Sequence, residues 1–163
     1  MLTSGYGLDY YGYHHIVAAI KELNEKTKGM HLILCLYNTF DEKYINTIEH
    51  HLRKQISLDV FRDLDPNGFS YILSKSDVYI RATDRDGDAV AIREAAFFGK
   101  KVVASDAVPR PDGSILFRLG DPEALAEAIS RALGNEDCGL LPNDGDANFH
   151  ALMEVYDAIG REC

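Results

Sequence analysis

Cysteine is scarce: Cys35, Cys138 and Cys163 are odd in number and follow no spacing pattern. That excludes a disulfide framework and a cysteine metal knuckle, and it points to a reducing, cytoplasmic setting. Long apolar runs are also missing. Nothing approaches the roughly 18 consecutive apolar residues of a membrane-spanning helix, and no secretory leader pattern appears, so no transmembrane segment is expected. Positive charge is thin, with 17 Lys and Arg against 26 Asp and Glu for a formal charge of −9. Such a chain has no broad basic face to reward nucleic acid or an anionic membrane, although a local basic pocket for a phosphate is compatible with it. Several catalytic signatures are absent too: no G-x-S-x-G, no P-loop lysine and no Cys–His pairing are found. Gly5 and Gly7 lack the third glycine of a dinucleotide site.

What is present suits one globular domain. The 163 residues are long enough for a real core, and 46% apolar with 26% charged residues is ordinary for a folded protein. Residues 30–37 (MHLILCLY) are apolar almost without interruption, as in a central parallel strand buried on both faces, with Cys35 a core residue. Residues 56–61 alternate and read as a partly exposed strand, and residues 77–81, 101–104 and 114–119 as three more. Helical spacing of apolar residues predicts helices over 13–28 and 41–54, with Asp41 opening the second. Asp65-Pro66 and Asp121-Pro122 each start another, the first weakened by Gly68. A last helix is expected over 148–159. Short strands alternating with helices predict an α/β, Rossmann-like three-layer domain over 1–163, a parallel sheet with helices on both faces.

Residues 76–105 (SDVYIRATDRDGDAVAIREAAFFGKKVVAS) organise the chain as strand, acidic turn, helix, strand. In such sheets ligands bind outside the carboxyl ends of the strands, so the turn at 83–89 is the expected ligand edge. The free N–H groups of Ala89, Val90 and Ala91 at the following helix start favour an anion there. A calcium loop at 84–88 is disfavoured, because the sixth and twelfth places of an EF-hand pattern are Ala89 and Ala95 instead of Gly and Glu. The neighbours His14 and His15, and likewise His50 and His51, point in different directions on a helix, so they read as surface residues and no metal site is expected.

Asp86-Gly-Asp-Ala-Val-Ala-Ile-Arg-Glu94-Ala-Ala-Phe-Phe-Gly99 resembles the signature of the group 1, or family 4, retaining glycosyltransferases of the GT-B fold. Lys101-Val-Val-Ala-Ser-Asp106 and Gly120-Asp-Pro-Glu-Ala-Leu-Ala-Glu-Ala-Ile129 continue the likeness in the same order. The resemblance implies the C-terminal, donor-binding domain of such an enzyme, with a UDP- or GDP-linked sugar as substrate and no cofactor or obligatory metal. Asp86, Gly87, Asp88, Ala89 and Val90 would then face the donor sugar and distal phosphate, Glu94 the ribose hydroxyls, and residues 62–65 the base. No catalytic residue is assigned by the likeness.

Asp86 replaces the family's usual Glu, and Asp88 its usual Phe. Beside Gly5, the family's basic residues that hold the diphosphate fall on Tyr6 and Tyr11, which can donate hydrogen bonds but cannot neutralise a phosphate. Arg85 and Arg110, on loops at the ligand edge, are candidate substitutes. A chain that starts in what reads as the end of a strand looks like an excised half whose N-terminal acceptor-binding domain is absent. The half alone is expected to be inactive, and the full protein to be cytoplasmic or peripheral to the inner membrane face through that other domain. The rival expectation is a decayed glycosyltransferase-like domain serving as a structural or interaction module.

Overall fold

The computed structural model describes residues 1–24, 29–87, 89–134 and 139–142. Six parallel strands form one sheet in the order β3-β2-β1-β4-β5-β6: β1 (Leu2–Gly7), β2 (His31–Phe40), β3 (Ser57–Arg62), β4 (Val78–Arg81), β5 (Lys101–Ser105) and β6 (Ile115–Phe117). Helices α1 (Tyr13–Asn24), α2 (Glu42–Arg53), α3 (Pro66–Lys75), α4 (Val90–Phe97) and α5 (Pro122–Leu133) cover it. The expected Rossmann-like three-layer fold is the one observed.

The two faces are built by alternation along each strand. Leu32, Leu34 and Leu36 of β2, with Val78 and Ile80 of β4, pack on the face covered by α1, α2 and α5. Cys35, Tyr79, Val102 and Ala104 point the other way, onto Phe69 and Leu73 of α3 and Ile92 and Ala95 of α4. A central parallel strand is therefore apolar at nearly every position, and each buried Leu or Ile adds about 1.5–3 kcal/mol relative to exposure. Burial pushes the Cys35 thiol up to about 12.

Helix starts follow their capping chemistry. Asp41, Asp65 and Asp121 each accept a hydrogen bond from a backbone N–H of the first turn, and Pro66 and Pro122 occupy a first-turn position where no N–H is needed. Gly68 does not break α3, because Asp65 accepts from both Asn67 and Gly68 N–H.

The structure departs from expectation at three places. β1 is a six-residue central strand, where the sequence reads only as a strand's end: Leu2 pairs with Ile33 on one side and Tyr79 on the other. β2 runs on to Phe40, because an irregularity in β1 between Gly5 and Gly7 lets Gly7 pair with Phe40. β6 is confined to Ile115–Phe117. Residues 25–28 of the first expected helix and the helix expected over 148–159 lie outside the described residues.

Candidate functional site

The strand order reverses between β1 and β4. The chain leaves β1 toward β2 on one side and leaves β4 toward β5 on the other, so a crevice opens between the carboxyl ends of β1 and β4. Two loops border it. The loop after β1 makes one 3-10 turn over Asp9–Tyr11 and ends at Gly12, whose φ of 71° and close approach to the Ala82 carbonyl no side chain tolerates: an added Cβ would lie 2.0 Å from that oxygen. The loop after β4 is stitched to it, with the Asp84 N–H and the Thr83 hydroxyl both donating to the Tyr10 carbonyl at 3.0 and 2.8 Å. The Ser105 hydroxyl, at the end of β5, donates to the Thr83 carbonyl at 2.5 Å.

At the centre of this edge lies a charged cluster. The Asp86 carboxylate accepts from Arg81 Nε at 2.8 Å and Nη2 at 3.0 Å, and from Arg110 Nη1 at 2.7 Å. All three side chains are buried: 11% exposed for Arg81, 7% for Asp86 and 2% for Arg110. Arg110 also donates to the Ser105 carbonyl and hydroxyl, both at 3.1 Å, which ties the 106–113 loop to β5. Arg81 reaches across the crevice to the Ser4 carbonyl at 3.0 Å, and its guanidinium lies 5.0 Å from the centre of the Tyr11 ring. Burial acts to raise the Asp86 carboxyl, but the hydrogen bonds and charges of Arg81 and Arg110 outweigh it and hold the group below the usual carboxylate range.

The other expected residues fall around this cluster. Tyr11 packs its ring on Gly5, where an added Cβ would meet it at 2.0 Å, and Tyr6 and Tyr10 lie beside it with ring centres 5.5 and 4.9 Å away. Arg85 is 80% exposed, pairs loosely with Asp84 at 3.7 Å and sits over Tyr10, apart from the buried cluster that Arg110 joins. Asp88 lies outside the described residues. Gly87 is exposed, and Ala89 begins α4 without a side-chain cap, leaving that helix end open.

Glu94 is half-buried, one turn into α4, and takes part in no ion pair with a described residue, including Arg93 and Lys100. Burial raises its carboxyl, and its charge reaches the Tyr37 hydroxyl at the end of β2. Beyond Tyr37, Asn38 and Asp63 both adopt left-handed backbone, with φ of 56° and 50°, and are joined by an Asn38 N–H to Asp63 carboxylate hydrogen bond of 2.8 Å. Asp63 falls inside the 62–65 segment expected near a base.

A cleft of about 570 Å³ runs from the start of α4 along that helix, lined by Ile92, Arg93 and Ala96 together with the 108–112 loop, Leu141 and Pro142. It shares Asp86, Gly87, Ala89 and Arg110 with the ligand edge, while Glu94 and Tyr11 are not part of its wall. Among the described residues no group of three or more His, Cys, Asp or Glu side chains could hold a metal, and no helix is long and apolar enough to cross a membrane.

The family described as Glycosyl transferases group 1 matches residues 4–135. The chain belongs to the group 1 glycosyltransferases. Solved glycosyltransferase structures share the fold of this domain. An α,α-trehalose-phosphate synthase (UDP-forming) from Burkholderia xenovorans, in complex with glucose-6-phosphate, superposes with a TM-score of 0.72 at 15% identity over 83% of this chain and 35% of that one. The enzyme from Burkholderia multivorans gives 0.73 at 17% identity, with the same coverage. A glycosyltransferase from Rickettsia africae ESF-5 gives 0.71 at 16% identity over 94% of this chain and 42% of that one. The chain thus spans between a third and a half of the length of these structures. No curated protein matches it.

Arg81 is the site residue that sequence reasoning missed in this group 1 domain. Its signal was available: a lone Arg closing an otherwise apolar strand, VYIR, at the carboxyl edge.

Proposed function

We propose that this group 1 domain is the donor-binding half of a retaining glycosyltransferase, taking a UDP- or GDP-linked sugar and working with an acceptor-binding half. The observation that carries this reading is the start of α4 at the carboxyl edge of the sheet, where Ala89 supplies no side-chain cap, with Glu94 one turn further on and in no ion pair with a described residue. An uncapped helix start offers N–H groups and a partial positive charge to a diphosphate. A half-buried carboxylate that forms no ion pair with a described residue favours hydroxyl donors, and both hydroxyls of a ribose suit its two oxygens. On transfer, the bond from the sugar's anomeric carbon to the diphosphate oxygen breaks, and the departing nucleoside diphosphate gains negative charge. Donors already aimed at that oxygen stabilise the charge without reorganising.

In this reading the Asp86 carboxylate is held back on Arg81 and Arg110, so the backbone of 87–89 carries more of the sugar contact than a longer acid would leave it. Calorimetric titration with UDP and with GDP tests the proposal. The expected result is micromolar binding to one of them, weakened roughly 10- to 100-fold by Glu94→Ala, the scale of hydrogen bonds to a charged group. No binding of either nucleotide, by this chain or by a longer protein containing the acceptor half, overturns it.

A further inference from the structure

We infer that Arg81, at the end of β4, is the cation that receives the phosphates of a nucleoside diphosphate in this domain, replacing positive charge on the loop after β1. The inference rests on the donor-binding reading for the nucleoside part, and on the crevice geometry for the anion.

Three observations converge on Arg81. It stands at the one point where the strand order reverses, and its guanidinium spans the crevice from β4 to the Ser4 carbonyl of β1. The loop after β1 carries no basic residue between Gly5 and Tyr13, yet Arg81 places its charge against that loop, 5.0 Å from the Tyr11 ring centre. Arg81 also keeps 11% of its side chain exposed on the β1 side, while Arg110 keeps 2% and lines the cleft beside the 108–112 loop. Arg110 instead is bound to Ser105 by two hydrogen bonds and anchors the 106–113 loop.

Charge and hydrogen-bond capacity favour an anion as well. Two guanidiniums face one carboxylate, which leaves the cluster one net positive charge in a chain of formal charge −9. Burial works against the Arg81 charge, but the Asp86 carboxylate bonded to two of its nitrogens opposes this, and the guanidinium stays protonated. A fork-shaped cation in a cluster of net positive charge suits a ligand made only of acceptors, which a diphosphate is.

Asp86 then acts as a positioning residue. By taking Nε and Nη2 it fixes the plane of the guanidinium and turns Nη1 toward β1, where it donates to the Ser4 carbonyl.

The test is titration of the chain with inorganic pyrophosphate, UDP, GDP, uridine and guanosine, repeated on Arg81→Gln and Arg81→Lys. Arg81→Gln is expected to weaken pyrophosphate and the preferred diphosphate roughly 10- to 100-fold while leaving the matching nucleoside unchanged, and Arg81→Lys to fall between. Because the substitution also removes a partner of Asp86, a second variant, Arg81→Gln with Tyr11→Lys, returns a cation to the loop after β1 and is expected to recover most of the lost affinity. Equal diphosphate affinity in wild type and Arg81→Gln, or equal loss of nucleoside and diphosphate, overturns the assignment while donor binding stands. Arg81-dependent pyrophosphate binding with no gain from a nucleoside overturns the donor reading while the anion site stands. No binding of pyrophosphate, UDP or GDP by the wild type overturns both.

Discussion

Replacing Asp86 by Asn removes the one negative charge that holds two buried arginines. The carboxylate accepts three charge-assisted hydrogen bonds, at 2.7, 2.8 and 3.0 Å. An amide in its place has one acceptor oxygen, and its NH2 faces guanidinium N–H groups, donor against donor. Breaking a buried ion pair from one side typically costs about 3–5 kcal/mol, because the remaining charge is left without compensation. Here both arginines keep other acceptors, Ser4 for Arg81 and Ser105 for Arg110, so a loss near 3 kcal/mol is expected on the lower side of that range. Urea unfolding followed by circular dichroism measures it.

The pH dependence supplies a second reading of the same group. Its folded carboxyl lies below the unfolded one, so its contribution is complete at neutral pH and is lost as the pH falls below about 4, through the depressed folded value. The Asn variant lacks that acid-side loss. A change under about 1 kcal/mol at pH 7, with an unaltered acid profile, refutes the account of the cluster.

Four further outcomes follow from the geometry. Arg85→Ala, at an 80% exposed side chain, is expected to shift stability by less than about 0.5 kcal/mol in the same urea assay, in contrast to Asp86. Gly12→Ala, which needs left-handed backbone and drives a Cβ into the Ala82 carbonyl, is expected to cost at least about 2 kcal/mol by thermal denaturation. Cys35, buried and with its thiol pushed up to about 12, is expected to resist alkylation until the chain unfolds, as peptide mapping after a timed iodoacetamide pulse reports. Nucleotide affinity is expected to fall as pH drops through the raised Glu94 carboxyl value, because only the ionised form accepts from two hydroxyls; calorimetry across pH 4–7 on wild type and Glu94→Gln checks that the variant's profile is flat.

Periodicity and capping made most of the fold legible in the sequence. The unbroken apolar run of β2, the Asp-Pro starts of α3 and α5, and the alternation of strands with helices each have one physical reading. β1 was harder to read because it is rich in small and polar residues: Thr3, Ser4 and Gly5 are buried not by apolar character but because strands pair with β1 on both sides. In the candidate site, the resemblance over 86–99 singled out Asp86, Glu94 and the start of α4, and the structure places all three at the carboxyl edge or just inside the helix that follows it. Two features were not legible in the sequence. Which cation approaches Asp86 depends on side chains 5 and 24 residues away in sequence, and only the folded loops bring Arg81 and Arg110 together. The left-handed pair Asn38 and Asp63 is likewise a product of β2 and β3 lying side by side.

The most direct test of a donor site in the β1–β4 crevice is a map of amide chemical-shift changes on adding UDP or GDP to the isotope-labelled chain. The account predicts that the largest changes fall on Gly5, Tyr11, Thr83, Gly87, Val90 and Glu94, with the base reporting on residues near Asp63. Changes confined to Ile92, Ala96 and the 108–112 loop, or none at saturating nucleotide, contradict it.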